Sequence, residues 1–255
     1  MTAHPYFDAG GAVAALAHRG FSLDGLENSM SAFAAAVDLG YRYVETDAHG
    51  TADGVAVALH DASLDRTTDA KGSVSSLPWA RVKAARIGGI EPVPLLEDVL
   101  GTWPELHVNI DVKATSGIAP IAAAIERTRA HHRVCIASFS TARRKATLAK
   151  LSQAVATSAG TREVGAFLLG ARLGASAHGP LSAVDAVQVP VTAGPMTVVS
   201  KQTVAAAHDA DKHVHVWTIN DVAEMERLVD LGVDGIVTDR ADLLKGVLIR
   251  RGRWQ

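Results

Sequence analysis

Residues 29–47 read SMSAFAAAVDLGYRYVETD and contain the two patterns that decide the fold. Asn28 or Ser29 can cap a helix here, and Gly40 can end it. The apolar residues that would share one face of this helix are Met30, Phe33, Ala34 and Val37. A β-forming run, residues 42–47, follows at once and ends in polar residues. A helix followed directly by a strand is the repeating unit of an α/β fold.

Seven further β-forming runs recur along the 255 residues. They lie at residues 13–17, 106–112, 133–138, 154–158, 184–189, 213–218 and 234–238. Helical patterns occupy residues 119–130, 141–151, 201–210 and 221–231. Residues 165–183 predict an irregular connection instead. Eight parallel strands joined by crossover helices predict a TIM (β/α)8 barrel. The alternative, an open doubly wound sheet, usually carries Gly-x-Gly-x-x-Gly after its first strand, and none follows here.

The second predicted strand is followed by extra structure. Residues 51–59 indicate a turn at Asp53 and Gly54 and then a strand, which together add a hairpin to the second strand. Residues 61–105 then form a long excursion, and such excursions on the active-site side of a barrel are often functional. We therefore expect one α/β domain over residues 1–255, a TIM barrel with a short insertion, residues 61–105, after its second strand.

Composition excludes several classes of protein. The net charge is −2, from 25 basic and 27 acidic residues, and no long block of one sign predicts binding to nucleic acid. We find no run of about 20 apolar residues and no secretory signal pattern, so we expect a cytoplasmic protein without a membrane anchor. The single cysteine, Cys135, lies in an apolar run and is predicted to be a small buried side chain. Composition leaves the oligomeric state open.

Three carboxylates fall at the ends of predicted strands. Glu45 and Asp47 are two residues apart in one strand and therefore point to the same face. Asp111 ends the third barrel strand, with Lys113 on its face. Ligands of α/β barrels gather at the carboxyl ends of strands, and three carboxylates there form a hard oxygen site that suits Mg²⁺ or Ca²⁺. The alternative is a set of salt bridges with neighbouring arginine and lysine side chains.

Two of the 11 histidines stand beside these carboxylates. His18 and His60 each end a β-forming run, and a histidine near neutral pKa can act as general acid or general base. Either could instead bind the metal, and a mixed nitrogen and oxygen site would favour Zn²⁺ or Mn²⁺. His49 is either a neighbour of the site or a plain loop residue. His213 and His215 alternate with valines and are predicted to point outward.

Basic and aromatic side chains complete the candidate site. Arg19 follows the first histidine, and a guanidinium can grip phosphate with two hydrogen bonds. Its alternative is a structural pair with Glu27 or Glu45. Lys113 would be a second positive charge close to the metal, and a metal, an arginine, a lysine and two histidines together suit phosphoryl chemistry. Three further residues at strand ends are candidates for substrate binding: Phe139, Gln188 and Trp217. The two aromatic residues could instead pack in the core or plug the mouth of the barrel.

The motifs of this chain, taken in order, resemble the glycerophosphodiester phosphodiesterase family. The first motifs are His18-Arg19-Gly20, Glu27-Asn28-Ser29, Glu45-Thr46-Asp47, Asp53-Gly54, His60-Asp61 and Arg66-Thr67-Thr68. The later motifs are Pro94-Leu95-Leu96-Glu97, Asn109-Ile110-Asp111-Val112-Lys113, Ser138-Phe139, Trp217-Thr218-Ile219-Asn220 and GVDGIVTD at residues 232–239. Any one tripeptide is weak evidence for the resemblance. The ordered set is strong evidence and extends over about residues 14–245.

The resemblance implies a TIM barrel that hydrolyses glycerophosphodiesters to glycerol 3-phosphate and an alcohol. By this resemblance, Glu45, Asp47 and Asp111 hold a divalent cation, usually Mg²⁺ or Ca²⁺. His18 and His60 form the acid–base pair. The implied phosphate contacts are Arg19 and Lys113. The excursion after the second strand resembles a short version of the insertion found in this family.

One position departs from the family pattern. The third carboxylate is typically glutamate, and Asp111 has a reach shorter by about 1.5 Å, one carbon–carbon bond. The cation would then shift toward the third strand or bind through water, which Ca²⁺ tolerates more readily than Mg²⁺. Two rival functions stay open on the same barrel: lysophospholipase D-like cleavage and non-catalytic binding of phosphodiesters.

Overall fold

Eight parallel strands surrounded by helices form the body of the protein in its computed structural model, which describes residues 4–254. The strands are β1 (Ala14–His18), β2 (Tyr43–Gly50), β3 (Ala56–Ala58), β4 (Arg86–Ile87), β5 (Glu91–Pro92), β6 (His107–Val112), β7 (Val134–Ala137), β8 (Ala156–Thr157), β9 (Ala186–Val189), β10 (Thr192–Ala193), β11 (Met196–Thr197), β12 (His213–Val216) and β13 (Gly235–Thr238). The α-helices are α1 (Met30–Asp38), α2 (Trp79–Ala84), α3 (Leu96–Thr102), α4 (Ile118–Thr128), α5 (Thr141–Leu148), α6 (Thr161–Arg172), α7 (His178–Leu181), α8 (Lys201–His208), α9 (Val222–Leu231) and α10 (Ala241–Arg250). Short 3₁₀ helices lie at Pro5–Phe7, Val74–Ser76, Thr115–Gly117 and His131–Arg133. Among the described residues, no helix is both long enough and apolar enough to cross a membrane.

The barrel strands pair in parallel in the order β8-β7-β6-β2-β1-β13-β12-β9. An isolated parallel bridge between Ser158 and Ala186 joins the two ends of this path and closes the ring. Each of the eight predicted runs overlaps one of these strands, so the predicted TIM barrel is confirmed. Cys135 on β7 is fully buried, as predicted.

Helix α1 shows how local sequence sets an element. Ser29 is its N-cap, and the Ser29 hydroxyl accepts a hydrogen bond from the Ala32 amide at 3.1 Å. Removing such a cap costs about 0.5–2 kcal/mol. Gly40 follows the last turn with φ 86°, a left-handed conformation that glycine adopts without strain. The buried residues of α1 are Ala32, Phe33 and Ala36, so of the predicted face only Phe33 is fully buried. Met30 and Val37 of that face pack partly buried against the core.

The connection before β9 is more regular than the sequence pattern indicates. The expectation of an irregular segment over residues 165–183 is wrong for most of its length, because α6 extends to Arg172 and α7 occupies His178–Leu181. Gly165 and Gly170 weaken a helix by about 1 kcal/mol each. Burial of Phe167 and Leu168 offsets that cost, since a buried large apolar side chain contributes about 1.5–3 kcal/mol. Tertiary packing therefore overrides the two glycines.

The excursion after β2 divides between the barrel and a small outer layer. β3 pairs antiparallel with β2 after a turn in which Gly54 has φ 79°, so the predicted hairpin is confirmed. The following segment folds over this hairpin around its own buried cluster: Val57, Leu59, Leu64, Val74, Val82, Ala85, Ile87 and Val93. Helix α3 lies outside this layer, and its buried side chains join the main core between strands and helices. The outer layer is thereby attached to the strand that carries Glu45 and Asp47.

The amino end of the barrel is closed by the first 3₁₀ helix. Tyr6 is fully buried, and its carbonyl accepts a hydrogen bond from the Tyr43 hydroxyl at 2.8 Å. The prediction that His213 and His215 point outward is wrong. His213 stacks on Phe7 with ring centroids 4.3 Å apart, and His215 is 1% exposed. Strands of a parallel barrel are covered on both faces, so alternation with valine does not indicate a solvent-facing side.

Candidate active site

A cavity of about 460 Å³ opens at the carboxyl ends of the barrel strands. All ten residues that the sequence singles out as site candidates line it: His18, Arg19, Glu45, Asp47, His60, Asp111, Lys113, Phe139, Gln188 and Trp217. One half of the wall is charged. The other half carries aromatic and aliphatic side chains, among them Val164, Leu168, Pro190 and Val198. Residues from distant parts of the chain meet here because parallel barrel strands all end on the same edge.

The register of the strands sets the charged half. His18 lies opposite Glu45 in the pair of β1 and β2. Asp47 lies opposite Asp111 in the pair of β2 and β6. Because alternate residues of a strand face the same side, Glu45 and Asp47 both face the interior. Alternation within β2 and the register of β2 with β1 and β6 therefore bring three carboxylates and one histidine to one place.

Two residues beside the strand ends adopt left-handed backbone conformations that are uncommon outside glycine. Arg19 has φ 57° and Asn28 has φ 59°. Arg19 Nη1 donates to Glu27 Oε1 at 2.9 Å, and Arg19 Nε lies 2.9 Å from Asp47 Oδ2. Asn28 Nδ2 also donates to Asp47 Oδ2, at 3.3 Å. The phosphate candidate Arg19 is thus held between two carboxylates. In the sequence, only the motif Glu27-Asn28-Ser29 pointed to Asn28, and nothing predicted its contact with Asp47.

Lys113 lies between two of the three carboxylates. Its Nζ is 2.7 Å from Asp47 Oδ1 and 2.8 Å from Asp111 Oδ2. Burial disfavours the charged amine, but the two carboxylates outweigh burial and raise the pKa of Lys113. Burial would raise the pKa of Asp47 as well, yet Lys113 and Arg19 hold that pKa below its usual value. Lys113 and Asp47 therefore form a charged pair at neutral pH.

For Glu45 and Asp111, nearby positive side chains do not fully offset the effect of burial on the pKa. Burial, and then the charge of Asp47, raise the pKa of Glu45. Burial also raises the pKa of Asp111 despite the nearby Lys113. Asp111 Oδ1 is buried and has no hydrogen-bond partner among residues 4–254. The charged half of the cavity is therefore short of positive charge.

The donor chemistry at this point fits a hard divalent cation. Carboxylates with an excess of negative charge and an unpaired Asp111 oxygen are the ligands that Mg²⁺ and Ca²⁺ prefer. Within the described part of the chain, however, no three His, Cys, Asp or Glu side chains are arranged to hold a metal ion. Lys113 instead bridges Asp47 and Asp111. The donor set thus fits a cation, whereas its present arrangement fits the ammonium group of Lys113.

Both candidate histidines are oriented by a carboxylate. His18 Nδ1 lies 2.6 Å from Asp239 Oδ1, and His60 Nδ1 lies 2.6 Å from Asp61 Oδ1. Burial opposes charge on His18, but the hydrogen bond to Asp239 and the charge of Glu45 raise the pKa of His18. A carboxylate on Nδ1 holds a proton there, which leaves Nε2 for chemistry. Asp61 and Asp239 are visible in the sequence only as members of motifs.

Two polar contacts support the cavity from inside the barrel. His49 lies within β2, is 3% exposed and has its Nε2 3.1 Å from the carbonyl oxygen of His60. It is therefore a neighbour of the site and not a loop residue. Gln188 donates through Nε2 to Asn109 Oδ1 at 2.9 Å and also lies 3.4 Å from His215 Nδ1. Gln188 thus uses part of its hydrogen-bonding capacity on Asn109, which also lines the cavity.

Two aromatic side chains, Phe139 and Trp217, form part of the apolar half of the cavity. Phe139 and Trp217 lie edge to face with ring centroids 5.9 Å apart. Phe139 is 59% exposed, so the alternative that it packs in the core is wrong. Trp217 is half-buried and also packs on the barrel interior. Lys113 Nζ lies 5.9 Å from the centroid of the Phe139 ring, which joins the two halves of the cavity.

The chain resembles known proteins over nearly its whole length. Residues 18–243 match the model of the glycerophosphoryl diester phosphodiesterase family. The protein named "Probable glycerophosphodiester phosphodiesterase 2" of Mycobacterium tuberculosis is 46% identical over 243 residues, which cover 94% of this chain and 92% of that protein. A lysophospholipase D of Rattus norvegicus is 34% identical over 116 residues, which cover 40% of this chain and 37% of that protein.

Solved structures share the fold. The crystal structure of a glycerophosphodiester phosphodiesterase from Agrobacterium tumefaciens matches with a TM-score of 0.74 at 23% identity, covering 91% of this chain and 98% of that one. At this identity the match supports the barrel alone. The family model and the 46% identical relative show membership of the family as well, because each matches most of the chain. This chain therefore belongs to the glycerophosphoryl diester phosphodiesterase family of enzymes.

Proposed function

We propose that the protein hydrolyses glycerophosphodiesters to glycerol 3-phosphate and an alcohol, with His18 and His60 as its acid–base pair. The observation that carries this proposal is the meeting of two carboxylate-oriented histidines with Arg19 and Lys113 around one cavity. Membership of the family supports the reaction, since the 46% identical relative is named for this activity.

The four side chains divide the tasks of a phosphoryl displacement. Arg19 and Lys113 bind the phosphate oxygens and offset the negative charge that develops on them. One histidine takes a proton at Nε2 from the attacking oxygen, which belongs to water or to the glycerol 2-hydroxyl. The other histidine gives a proton to the leaving alkoxide as its bond to phosphorus breaks. If the 2-hydroxyl attacks, water then opens the cyclic phosphate.

Glu45, Asp47 and Asp111 would hold a divalent cation, Mg²⁺ or Ca²⁺, with Mn²⁺ and Zn²⁺ as alternatives. When bound, such an ion stabilises negative charge on phosphate oxygens. Asp111 stands where glutamate is typical of the family, and its reach is shorter by about 1.5 Å. We therefore expect Ca²⁺, with its longer and more flexible coordination, to be accepted at least as well as Mg²⁺.

The test is a substrate panel on protein stripped with EDTA and reloaded with one cation at a time. Glycerophosphocholine, glycerophosphoethanolamine and glycerophosphoglycerol are the substrates, and released glycerol 3-phosphate is the measured product. We expect no turnover from stripped protein and restored turnover with Mg²⁺ or Ca²⁺. No hydrolysis with Mg²⁺, Ca²⁺, Mn²⁺ or Zn²⁺ would contradict the proposal and favour a non-catalytic barrel that binds phosphodiesters.

The apolar half of the cavity favours a second candidate, lysophospholipase D-like cleavage. Phe139 and Trp217, with the aliphatic residues beside them, offer a surface on which an acyl chain could lie. Lysophosphatidylcholine added to the same panel separates the two activities, because it adds only the acyl chain to glycerophosphocholine. A higher kcat/KM for the lysophospholipid would make it the preferred substrate class.

The organisation of the chain stays part of this proposal. We propose a single barrel domain over residues 1–255 whose insertion, residues 61–105, borders the site. A cytoplasmic location without a membrane anchor or nucleic-acid partner stays a prediction from the sequence.

A further inference from the structure

Arg66 lies in the outer layer and contacts two carboxylates at the edge of the candidate site. It belongs to the motif Arg66-Thr67-Thr68, to which the proposed function gives no task. Arg66 Nε and Nη2 donate to Asp61 Oδ2 and Oδ1 at 2.7 and 3.0 Å. Arg66 Nη2 and Nη1 donate to Glu27 Oε1 and Oε2 at 2.7 and 3.2 Å. One guanidinium thus grips two carboxylates from different segments of the chain.

Each of these carboxylates also holds a residue of the proposed machinery. Asp61 Oδ1 lies 2.6 Å from His60 Nδ1, and Glu27 Oε1 accepts from Arg19 Nη1 at 2.9 Å. The same two oxygens accept hydrogen bonds from Nη2 of Arg66. A continuous chain of hydrogen bonds therefore runs from the acid–base candidate His60 to the phosphate candidate Arg19.

The pKa shifts of the two carboxylates agree with this series of hydrogen bonds. The hydrogen bond from Arg66, and a smaller contribution from His60, hold the pKa of Asp61 well below its usual range. Burial would raise the pKa of Glu27, but Arg66 and Arg19 keep it below its usual value. Both carboxylates are therefore ionised at neutral pH and bind their donors through charge-assisted hydrogen bonds. Without Arg66, Asp61 would keep only His60 and Glu27 would keep only Arg19 as a side-chain partner, so each carboxylate would be less restrained.

We propose that Arg66 is a positioning residue that sets the orientations of His60 and Arg19 together, so that the insertion contributes to catalysis through Arg66 as well as through Asp61. The inference rests on the proposed function. It requires arginine in particular, because a planar guanidinium presents N–H groups along two edges at once. Lysine carries the same charge but has a single compact ammonium group, which cannot make these four hydrogen bonds.

The first experiment measures kcat and KM with glycerophosphocholine for Arg66→Gln, Arg66→Lys, Glu27→Gln and the double variant Arg66→Gln/Glu27→Gln. We expect Arg66→Gln to lower kcat/KM about tenfold, and Arg66→Lys to lower it nearly as much. The double variant should lose less than the product of the two single losses, because both substitutions break the same link. Wild-type kcat/KM in Arg66→Gln, or independent losses in the double variant, would overturn the inference.

Two other arginines of the outer layer serve as matched controls. Arg81 on α2 is exposed, and its side chain makes no hydrogen bond to any described residue. Arg86 donates through Nη1 to the carbonyl oxygens of Lys83, Ala84 and Ala85, all within the same layer. Arg81→Gln should leave kcat/KM unchanged. Arg86→Gln should lower the melting temperature without changing kcat/KM, which separates a structural effect on the layer from positioning.

A second measurement does not depend on turnover. The ¹⁵N spectrum of the His60 ring, assigned by its loss in His60→Gln, reports which ring nitrogen carries the proton. We expect a ring protonated at Nδ1 in the wild type and a mixture of tautomers in Arg66→Gln. If the wild type hydrolyses no phosphodiester but these signals still change, the proposed function fails while the positioning of His60 by Arg66 stands. Unchanged signals would overturn the inference whatever the activity.

Discussion

Both ends of the barrel interior contain polar side chains, but these are charged at the carboxyl end and neutral at the amino end. At the carboxyl end, Asp47 and Lys113 stay charged beside a cavity of about 460 Å³. At the amino end, burial lowers the pKa of His215 to about 4, and burial with help from Arg42 lowers the pKa of His107 to about 4. These histidines are therefore neutral at neutral pH. A second cavity of about 320 Å³ lies at that end, beneath the segment that contains Tyr6.

This difference separates residues that serve a ligand from residues that serve the fold. Uncompensated carboxylates are costly in a folded protein, so their presence at one end indicates a cationic partner. Burial of the histidines at the amino end costs less free energy, because these side chains are neutral. Substitutions at the carboxyl end should therefore change turnover, and substitutions at the amino end should change stability.

The largest expected effect is the loss of either candidate acid–base group. His18→Ala and His60→Ala should each lower kcat by about 10²–10⁴-fold, the usual contribution of general acid–base catalysis. Urea unfolding should show a folded protein in both cases. His213→Ala at the amino end is the control and should keep the wild-type kcat. Full activity in either His18→Ala or His60→Ala would remove that residue from the mechanism.

A smaller loss of turnover is expected at the partner of His18. Asp239→Asn should lower kcat by about 10- to 100-fold with little change in KM, because an amide can present either donor or acceptor to Nδ1 and no longer fixes the tautomer. Steady-state kinetics with glycerophosphocholine measure this. Asp242→Asn, which removes an ion pair with Arg240 away from the cavity, is the control. Equal kcat in the two variants would show that Asp239 does not orient His18.

At the amino end, the expected effect is a pH dependence of stability. The pKa of His215 is about 4 in the folded state and about 6.5 in the unfolded state. The unfolded state therefore binds the proton first, and stability falls as the pH drops from 6.5 toward 4. Between pH 7 and pH 5 this amounts to about 2 kcal/mol. The free energy of unfolding in urea should drop less over this interval in His215→Gln than in the wild type. Parallel losses in the two proteins would contradict this assignment.

The smallest effect concerns Tyr6. Its hydroxyl is buried and has no hydrogen-bond partner among the residues that the structure describes. Tyr6→Phe should therefore raise the free energy of unfolding by about 1 kcal/mol and leave kcat unchanged. Tyr43→Phe is the matched opposite, because its hydroxyl donates to the Tyr6 carbonyl, and it should lower stability by a similar amount. A destabilised Tyr6→Phe would mean that the hydroxyl has a partner, such as an ordered water.

The candidate site could be predicted in part from local patterns. Alternation within β2 brings Glu45 and Asp47 to one face, and the end of each predicted run marks the edge where ligands gather. Contacts between distant segments, such as the partner of His18 and that of Arg66, could not be found in this way. His18 and Asp239 are 221 residues apart, and Arg66 and Glu27 are 39 residues apart. No periodicity relates positions at such separations, so only motif membership hinted at them.

The sequence by itself determined the order of strands and helices and the residue types at each strand end, because periodicity, caps and turn residues act between neighbours in the chain. The tertiary structure decided that α6 forms despite its glycines, that His215 faces the interior, and that Lys113 lies between two carboxylates. It also decided that Arg66 links the insertion to the site. These outcomes depend on burial and on distances between segments far apart in the chain, which the closed barrel alone sets.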